Sequence, residues 1–526
     1  MATILIKNGL IIDGTGRPGE PAAILIEGDR IISVGRIPTT GADTVIDASG
    51  MVVCPGFVDI HSHSEFSLLA HPQGDGKLLQ GVTTEINGNC GLSAGPLLGA
   101  YRERRRGELA DLGLELGWES LGEYFDTFDR RGAAVNIATY VGHGNLRGAV
   151  VGYENRPATP AEMDAMKALL SDAMEQGALG LATGLIYPPG VYSGIDELIE
   201  LSRVVAKYGG IYSSHMRSEG DGLIEAITEA IEIGEKSGVG VQISHLKTSG
   251  QRNWHKITQA LALIEEARGR GLDVTSDRYP YTAAATDLDA VLPSWAYEGG
   301  NDAELARLRD PETRKRLTDD ILAQHPEPEY WQRVAVSSVE TAANKGLEGL
   351  TMAQIAEKRK AKPWEALYDL LIEEQLKAGA IFYSMSEENL RTILRQPYVM
   401  VGSDSTNRGF SGITAHGKPH PRGFGSFPRV LGRFVREEGL LTLEEAIHKM
   451  TAQPARKLGM KDRGELRPGA CADIVIFNPE TVIDRADFDS PYQRSVGIRD
   501  VIVNGKVAVR DGEVTGTLAG KVLRKM

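Results

Sequence analysis

Through the middle of the chain, short β-branched runs alternate with amphipathic helical stretches, and this alternation restricts the fold more than any other feature. Candidate strands fall at residues 57–60, 82–86, 135–140, 179–183, 210–213, 239–244, 272–276 and 398–402. Between most of them lie helices that carry their own start and stop signals. PAEMDAMKALLSDAMEQG has Thr159 in the capping position, Pro160 as first helical residue and Gly177 as a stop. DGLIEAITEAIEIGEKSG and HKITQALALIEEARGRG repeat the device. Strand–helix alternation predicts a parallel sheet with right-handed crossovers. Eight such strands point to an α/β fold of the (β/α)8 TIM-like barrel type, although a doubly wound open sheet fits the same pattern. A barrel takes roughly 250 residues, and this chain has 526. Part of the surplus lies between the last two strands, in polar stretches such as DAELARLRDPETRKRLTDDILAQ and the apolar-striped WEALYDLLIEEQ. It reads as a long insertion after the seventh strand, at about residues 285–395, forming a lid or part of a substrate pocket.

Both ends follow a different grammar. ILIKNGLIID, AAILIEGDRIISVG and DTVIDASGMVV at the start, and ADIVIFNP and IRDVIVNGKVAVRDGEV near the end, are strand-like runs broken by Asn-Gly, Gly-Asp and Asp-Gly turn signals. The expectation is a small β-sandwich built from residues 1–55 and 465–526 around a barrel at 56–464; two independent β modules are the alternative.

Composition narrows the partners. Lys+Arg number 58 and Asp+Glu 71, a net charge of −13 that argues against nucleic acid. Three cysteines, Cys54, Cys90 and Cys471, are too few and odd in number for a disulfide framework. The start, MATILIKNGLIIDG, lacks a secretory pattern, and no apolar run approaches the ~18 residues of a membrane span. A cytoplasmic enzyme with a small-molecule substrate is expected. The basic run at residues 102–106 (RERRR) reads as a solvated helix face.

The chemistry gathers at strand ends. In PGFVDIHSHSEF, His61 and His63 stand two apart at the end of an apolar strand, so both imidazoles can face the same way. His215 ends the fifth strand in IYSSHMRSEG, His245 the sixth in VQISHLKTSG, and Asp404 the eighth in MVGSDST. Polar groups from several strands at the C-terminal face of a barrel read as a site, and imidazole with carboxylate reads as a zinc ligand set. Cys90, in the Gly/Asn-rich loop GVTTEINGNCGLSAG after the second strand, adds a candidate thiolate. GLSAG, residues 91–95, also matches the G-x-S-x-G elbow of serine hydrolases around Ser93, but NGNC separates it from its strand.

Together, NGLIIDGTG, PGFVDIHSH, GVTTEINGNCG, TGLIYPPG, SSHMRSE, ISHLK, YPY, GSDS, HPRGFGSFPRVLG and GELRPGACADIVIFNP resemble the amidohydrolase superfamily. Within it they resemble most the D-aminoacylases, or N-acyl-D-amino-acid deacylases. The resemblance covers nearly the whole chain except the insertion, and implies zinc-dependent hydrolysis of N-acyl-D-amino acids. It implies a tight zinc site from Cys90, His215 and His245, and a weaker or vacant second site from His61, His63 and Asp404 with Cys90 shared. Many relatives bridge two metals with a carbamylated lysine on the fourth strand; LGLATGLIYPPG offers none, and Cys90 stands in its place. Asp404 matches the catalytic aspartate, and Arg422, Lys247 and Tyr187 match positions that hold the substrate carboxylate. Tyr279 and Tyr281, in YPY just before the insertion, either line the pocket or pack at the barrel rim. Related cyclic amidases or dipeptidases, a Ser93 serine hydrolase and a non-catalytic scaffold are the competing readings.

Overall fold

The structure, a computed structural model, describes residues 2–37 and 41–525. Eight parallel strands form a ring: Phe57–Asp59, Val82–Asn87, Asn136–Thr139 continued by Val141–Gly142, Gly180–Gly184, Ile211–His215, Gly240–Ile243, Val274–Arg278 and Val399–Val401. The eighth returns to the first through a parallel bridge between Ser62 and Ser405. Beside it, the Asp404 N–H donates to the His61 carbonyl at 2.8 Å and the His63 N–H to the Ser405 carbonyl at 3.2 Å. A doubly wound sheet has two open edges, so this closure selects the barrel.

Val58, Ile60, Ile86, Ala138, Tyr140, Ala182 and Met400 pack together from these strands and fill the interior. Outside, helices Pro160–Glu175, Ile195–Lys207, Leu223–Ser237 and Ile257–Gly269 follow strands three to six. They turn Met166, Leu170, Leu198, Val205, Ile227 and Ile264 into the main core, and each fully buried side chain of this size stabilises the fold by about 1.5–3 kcal/mol. The first of these helices opens with a reciprocal capping box between Thr159 and Glu162 and has Pro160 in its first turn, as its sequence predicts.

The ends of the chain share one nine-stranded sheet. Strand Thr3–Ile11 pairs antiparallel with Glu20–Glu27 and parallel with both Thr44–Asp47 and Val52–Pro55. Val52–Pro55 then pairs with Ile474–Phe477 from the far end of the chain, so the two ends form one sheet. Alternate residues of these strands, including Ile6, Ile24, Ile26, Val53, Ile474 and Ile502, pack into a separate core. The last residues run under the N-terminal mouth of the barrel. Gly520 donates to the Ala133 carbonyl at 2.8 Å, Leu523 to Ile137 at 2.7 Å and Lys525 to Gly177 at 2.9 Å.

Between the seventh and eighth strands, Ala284–Asp287, Gly379–Phe382 and Val334–Ser338 form a small antiparallel sheet. Helices Asn301–Arg309, Pro311–Gln324, Met352–Arg359 and Pro363–Glu373 accompany it. This segment has its own core around Leu308, Leu317, Val336, Ile355, Leu367 and Leu371.

Candidate functional site

At the C-terminal mouth of the barrel, side chains from five strand ends meet. Cys90 Sγ lies 3.3 Å from His61 Nε2 and 3.6 Å from His245 Nε2. Asp404 Oδ1 is 3.4 Å from His61 Nε2 and 3.2 Å from His63 Nε2. The donor atoms of His61, Cys90, His245 and Asp404 all lie within 4.8 Å of one another, as do those of His215, Glu219 and His245. The rings of His215 and His245 meet edge to face at 4.4 Å. His245 belongs to both groups, so the cluster is continuous.

Local backbone geometry aims these groups. Cys90, His245 and Asp404 all have positive φ, at 53°, 38° and 52°. Non-glycine residues held there cost about 1–3 kcal/mol each and collect at functional sites. The Cys90 loop lies against the end of the fourth strand, where a Cβ on Gly184 would collide with the Cys90 carbonyl. Gly91, at φ 79°, faces the Gly184 amide in the same crowded contact, which explains a glycine in each of these two motifs.

The electrostatics favour the ligating forms of the acids. Burial opposes the Cys90 thiolate, but His61, His215 and His245 bring its pKa well below the thiol range. Burial likewise opposes ionised Asp404, and Arg422, His245 and His61 hold it well below the carboxylate range. Burial depresses His215. Both nitrogens of its ring are buried with no hydrogen-bond partner among the described residues. A buried imidazole is normally satisfied, so His215 lacks the partner that a metal would be. Thiolate, imidazole and carboxylate are the donors a zinc-type ion takes, and the residues present fit such an ion.

Partners behind the cluster fix its rings. Asp277 accepts from the His245 backbone N–H at 2.9 Å and lies 3.1 Å from the ring Nδ1 of His61. Lys247 Nζ is 2.8 Å from His245 Nδ1 and also pairs with Glu219. Burial disfavours ionised Glu219, yet Lys247, His245 and His215 keep its carboxyl well below its usual range. Sequence reasoning did not single out Glu219 or Asp277. Glu219 sits inside the SSHMRSE motif, and Asp277 lies one residue past the expected end of the seventh strand.

Beside the cluster opens a cavity of about 1260 Å³ whose walls include His63, Cys90, Tyr187, His215, Lys247, Tyr279, Asp404 and Arg422. The insertion supplies the opposite wall with residues such as Asp289, Tyr297, Ser337 and Phe382. Arg422 donates to Asp404 at 2.7 Å and to the Ala285 carbonyl at 3.2 Å. Arg422 and Lys247 both approach the Tyr279 ring, at 4.7 Å and 5.8 Å, so two cations converge on one wall. The Tyr187 hydroxyl meets Thr286 at 3.1 Å, and its ring stands edge-on to His215 at 5.1 Å.

Two expectations are corrected, and the competing Ser93 reading falls. Tyr281 does not line the cavity: its hydroxyl donates to Asp484 at 3.2 Å and Arg429 stacks on its ring at 4.6 Å. Ser93 is no nucleophile elbow. Its hydroxyl donates to the Gly95 carbonyl at 2.7 Å and accepts from the Gly142 N–H at 2.9 Å, and no histidine is among its hydrogen-bond partners in the described residues. The basic run is a solvated face only in part: Glu103 and Arg106 are exposed, but Arg105 is buried on Tyr101 and Arg104 lines the cavity.

Comparison with known proteins gives one consistent result. The chain is 38% identical over 524 residues to a D-aminoacylase of Alcaligenes xylosoxydans xylosoxydans, covering 99% of this chain and 97% of the relative. An N-acyl-D-glutamate deacylase of the same organism is 37% identical, with 99% and 96% covered. The crystal structure of N-acyl-D-glutamate deacylase from Bordetella bronchiseptica, complexed with zinc and a phosphonate inhibitor that mimics the tetrahedral intermediate, matches with a TM-score of 0.83. It is 35% identical, and 99% of each chain is covered. The profile described as the Amidohydrolase family matches residues 44–509. That span takes in the whole barrel, the insertion and strands from both ends, and the chain belongs to the amidohydrolase family.

Proposed function

We propose that the chain is a metal-dependent N-acyl-D-amino-acid deacylase, hydrolysing the linear amide to a carboxylate and a free D-amino acid. The observation that carries this reading is the meeting of Cys90, His61, His245 and Asp404 at the floor of a cavity whose wall brings Lys247 and Arg422 together. The metal is zinc. Cys90, His215 and His245 form the tighter site, and His61, His63 and Asp404, sharing Cys90, form a weaker second one. Thiolate and imidazole donors support zinc over harder ions. When bound, zinc supplies an activated water and polarises the amide carbonyl.

The chain's own groups do the rest. Asp404, ionised beside Arg422, takes a proton from the attacking water and returns it to the leaving amine, without which C–N cleavage stalls. Arg422 and Lys247 hold the substrate carboxylate, the guanidinium as a fork and the ammonium as a point charge, while Tyr187 orients it. This local positive wall lets a protein of net charge −13 accept an anionic substrate. The insertion covers the cavity and excludes water, as lids above barrel strands do.

The test is a screen of N-acetyl-D- and N-acetyl-L-amino acids with bound metal quantified in the same sample. Turnover of D substrates, lost on chelation and restored by Zn²⁺, is expected. Turnover of L substrates alone would overturn the stereochemistry, and full activity after metal is stripped would overturn the mechanism.

A further inference from the structure

The strand ends that carry the cluster alternate. In HSHS, residues 61–64, and SDS, residues 403–405, the candidate ligands His61, His63 and Asp404 turn toward one another in the cluster, and the serines between or beside them turn toward a second network. At its centre is Lys77, on the short helix Asp75–Leu78, with 0% exposure. Its ammonium, with three N–H donors, lies within hydrogen-bonding distance of Asp59 Oδ2 (2.7 Å), Ser62 Oγ (3.2 Å), Ser403 Oγ (2.8 Å) and the Ser405 carbonyl (3.1 Å). It also lies 2.8 Å from Glu85 Oε1 on the second strand. Asp59 accepts from the Ser403 N–H at 2.8 Å and from its hydroxyl at 2.6 Å, joining the first strand directly to the eighth. Glu85 accepts from the hydroxyls of Ser62 and Ser64 at 2.6 Å and 2.8 Å.

This network sits where the ring is weakest. The fourth and fifth strands share five registered pairs. Among the described residues, the backbone pairing of the first strand with the eighth is one isolated bridge, Ser62 to Ser405, with the two backbone hydrogen bonds beside it. The same seam separates His61 and His63 from Asp404. Every group that Lys77 holds on the eighth strand lies next to Asp404 in the chain, and Ser62 lies between the two histidines.

We propose that Lys77 is a positioning residue: by tying the first strand to the eighth it sets the separation of His61 and His63 from Asp404. Its effect on turnover rests on the deacylase reading above; its effect on the seam does not. Burial disfavours the charged amine, but Asp59 and Glu85 hold it protonated, so the tie keeps its ammonium form.

The test compares Lys77→Met and Ser403→Ala with the wild-type chain. Three readouts are taken: hydrogen exchange by mass spectrometry, the visible spectrum after loading with Co²⁺, and kinetics on N-acetyl-D-amino acids. In both variants, peptides spanning 57–64 and 399–406 are expected to exchange faster while those spanning 211–215 stay as in wild type. The cobalt bands are expected to shift, and kcat to fall about tenfold or more with KM within about twofold, the scale of a lost supporting contact. Removing Lys77 leaves two buried carboxylates unpaired and can prevent folding. Ser403→Ala removes one hydroxyl and keeps the charges balanced, so it decides the matter if the first variant does not fold. Wild-type exchange across the seam and unchanged cobalt bands in Ser403→Ala would overturn the proposal. A wild-type chain with no deacylase activity would sink the functional reading instead, and exchange would still decide the seam.

Discussion

Asp277 reaches two members of the cluster at once. Its Oδ1 lies 3.1 Å from His61 Nδ1 and accepts the His245 N–H, and its Oδ2 is held by Gln242 at 2.8 Å. A carboxylate in that place fixes the tautomer and orientation of the His61 ring and anchors the His245 backbone, and losing such a partner lowers metal affinity or activity about 10–100-fold. Asp277→Ala is therefore expected to weaken zinc binding by that order, read by competition with a chromophoric chelator. The histidines give a second expectation. Burial opposes their protonation, but Asp277, Cys90 and Asp404 carry His61 well above the ordinary imidazole range, and hydrogen bonds to Asp404 and Cys90 take His63 to about 9. A ligand must be deprotonated to bind, so zinc uptake at pH 7 is expected to release protons, and affinity to rise with pH toward about 9. Calorimetry in buffers of different ionisation enthalpy measures the release; an affinity flat from pH 6 to 9 would contradict it. At this scale the sequence was informative where chemistry coincides with a strand end: His61, His63, His215, His245 and Asp404 all stand there. Asp277 and Glu219 were hidden because their importance lies in what they touch, which spacing does not encode.

The helices were legible because each carries its own punctuation. Thr159, Pro160 and Glu162 set the start of Pro160–Glu175 without help from the rest of the molecule. Thr159→Ala is expected to lose about 1 kcal/mol of stability, a small fall in Tm, and to leave kcat unchanged because the cap is remote from the cavity. An equal loss of activity would mean that this helix governs the site. The insertion was legible as an insertion but not as a sheet. AATD, VAVSS and GAIF are four or five residues long and lie far apart in the chain, so no hairpin signal joins them. Their pairing comes from the shared core around Leu308, Val336 and Leu367, a tertiary cause. Tyr281 was misplaced for a related reason: YPY placed two tyrosines near the site, but Asp484 and Arg429, from distant segments, claim the second one.

At the scale of the whole molecule, turn signals at both ends foretold a β layer shared by the termini, and alternation foretold the barrel. The last stretch carried no such signal. Residues 519–525 are irregular apart from one bridge, between Val522 and Ile137 of the third barrel strand. The Ile137 N–H donates to the Lys521 carbonyl at 3.0 Å. The Lys521 N–H donates to Asn136 at 3.0 Å, and Asn504 to the Ala519 carbonyl at 2.7 Å. With each hydrogen bond worth about 1 kcal/mol net, truncation after Gly516 is expected to lower Tm clearly while leaving KM of the surviving folded enzyme unchanged; an unaltered Tm would show the tail to be dispensable. The position of the tail also bears on the order of synthesis. Chains fold from the N-terminus as they are made, at about 5–20 residues per second. Here the N-terminal strand Val52–Pro55 waits for Ile474–Phe477, and the third barrel strand waits for Val522. The nascent barrel therefore keeps an open floor and an unpaired sheet edge until these far segments of the chain have been made.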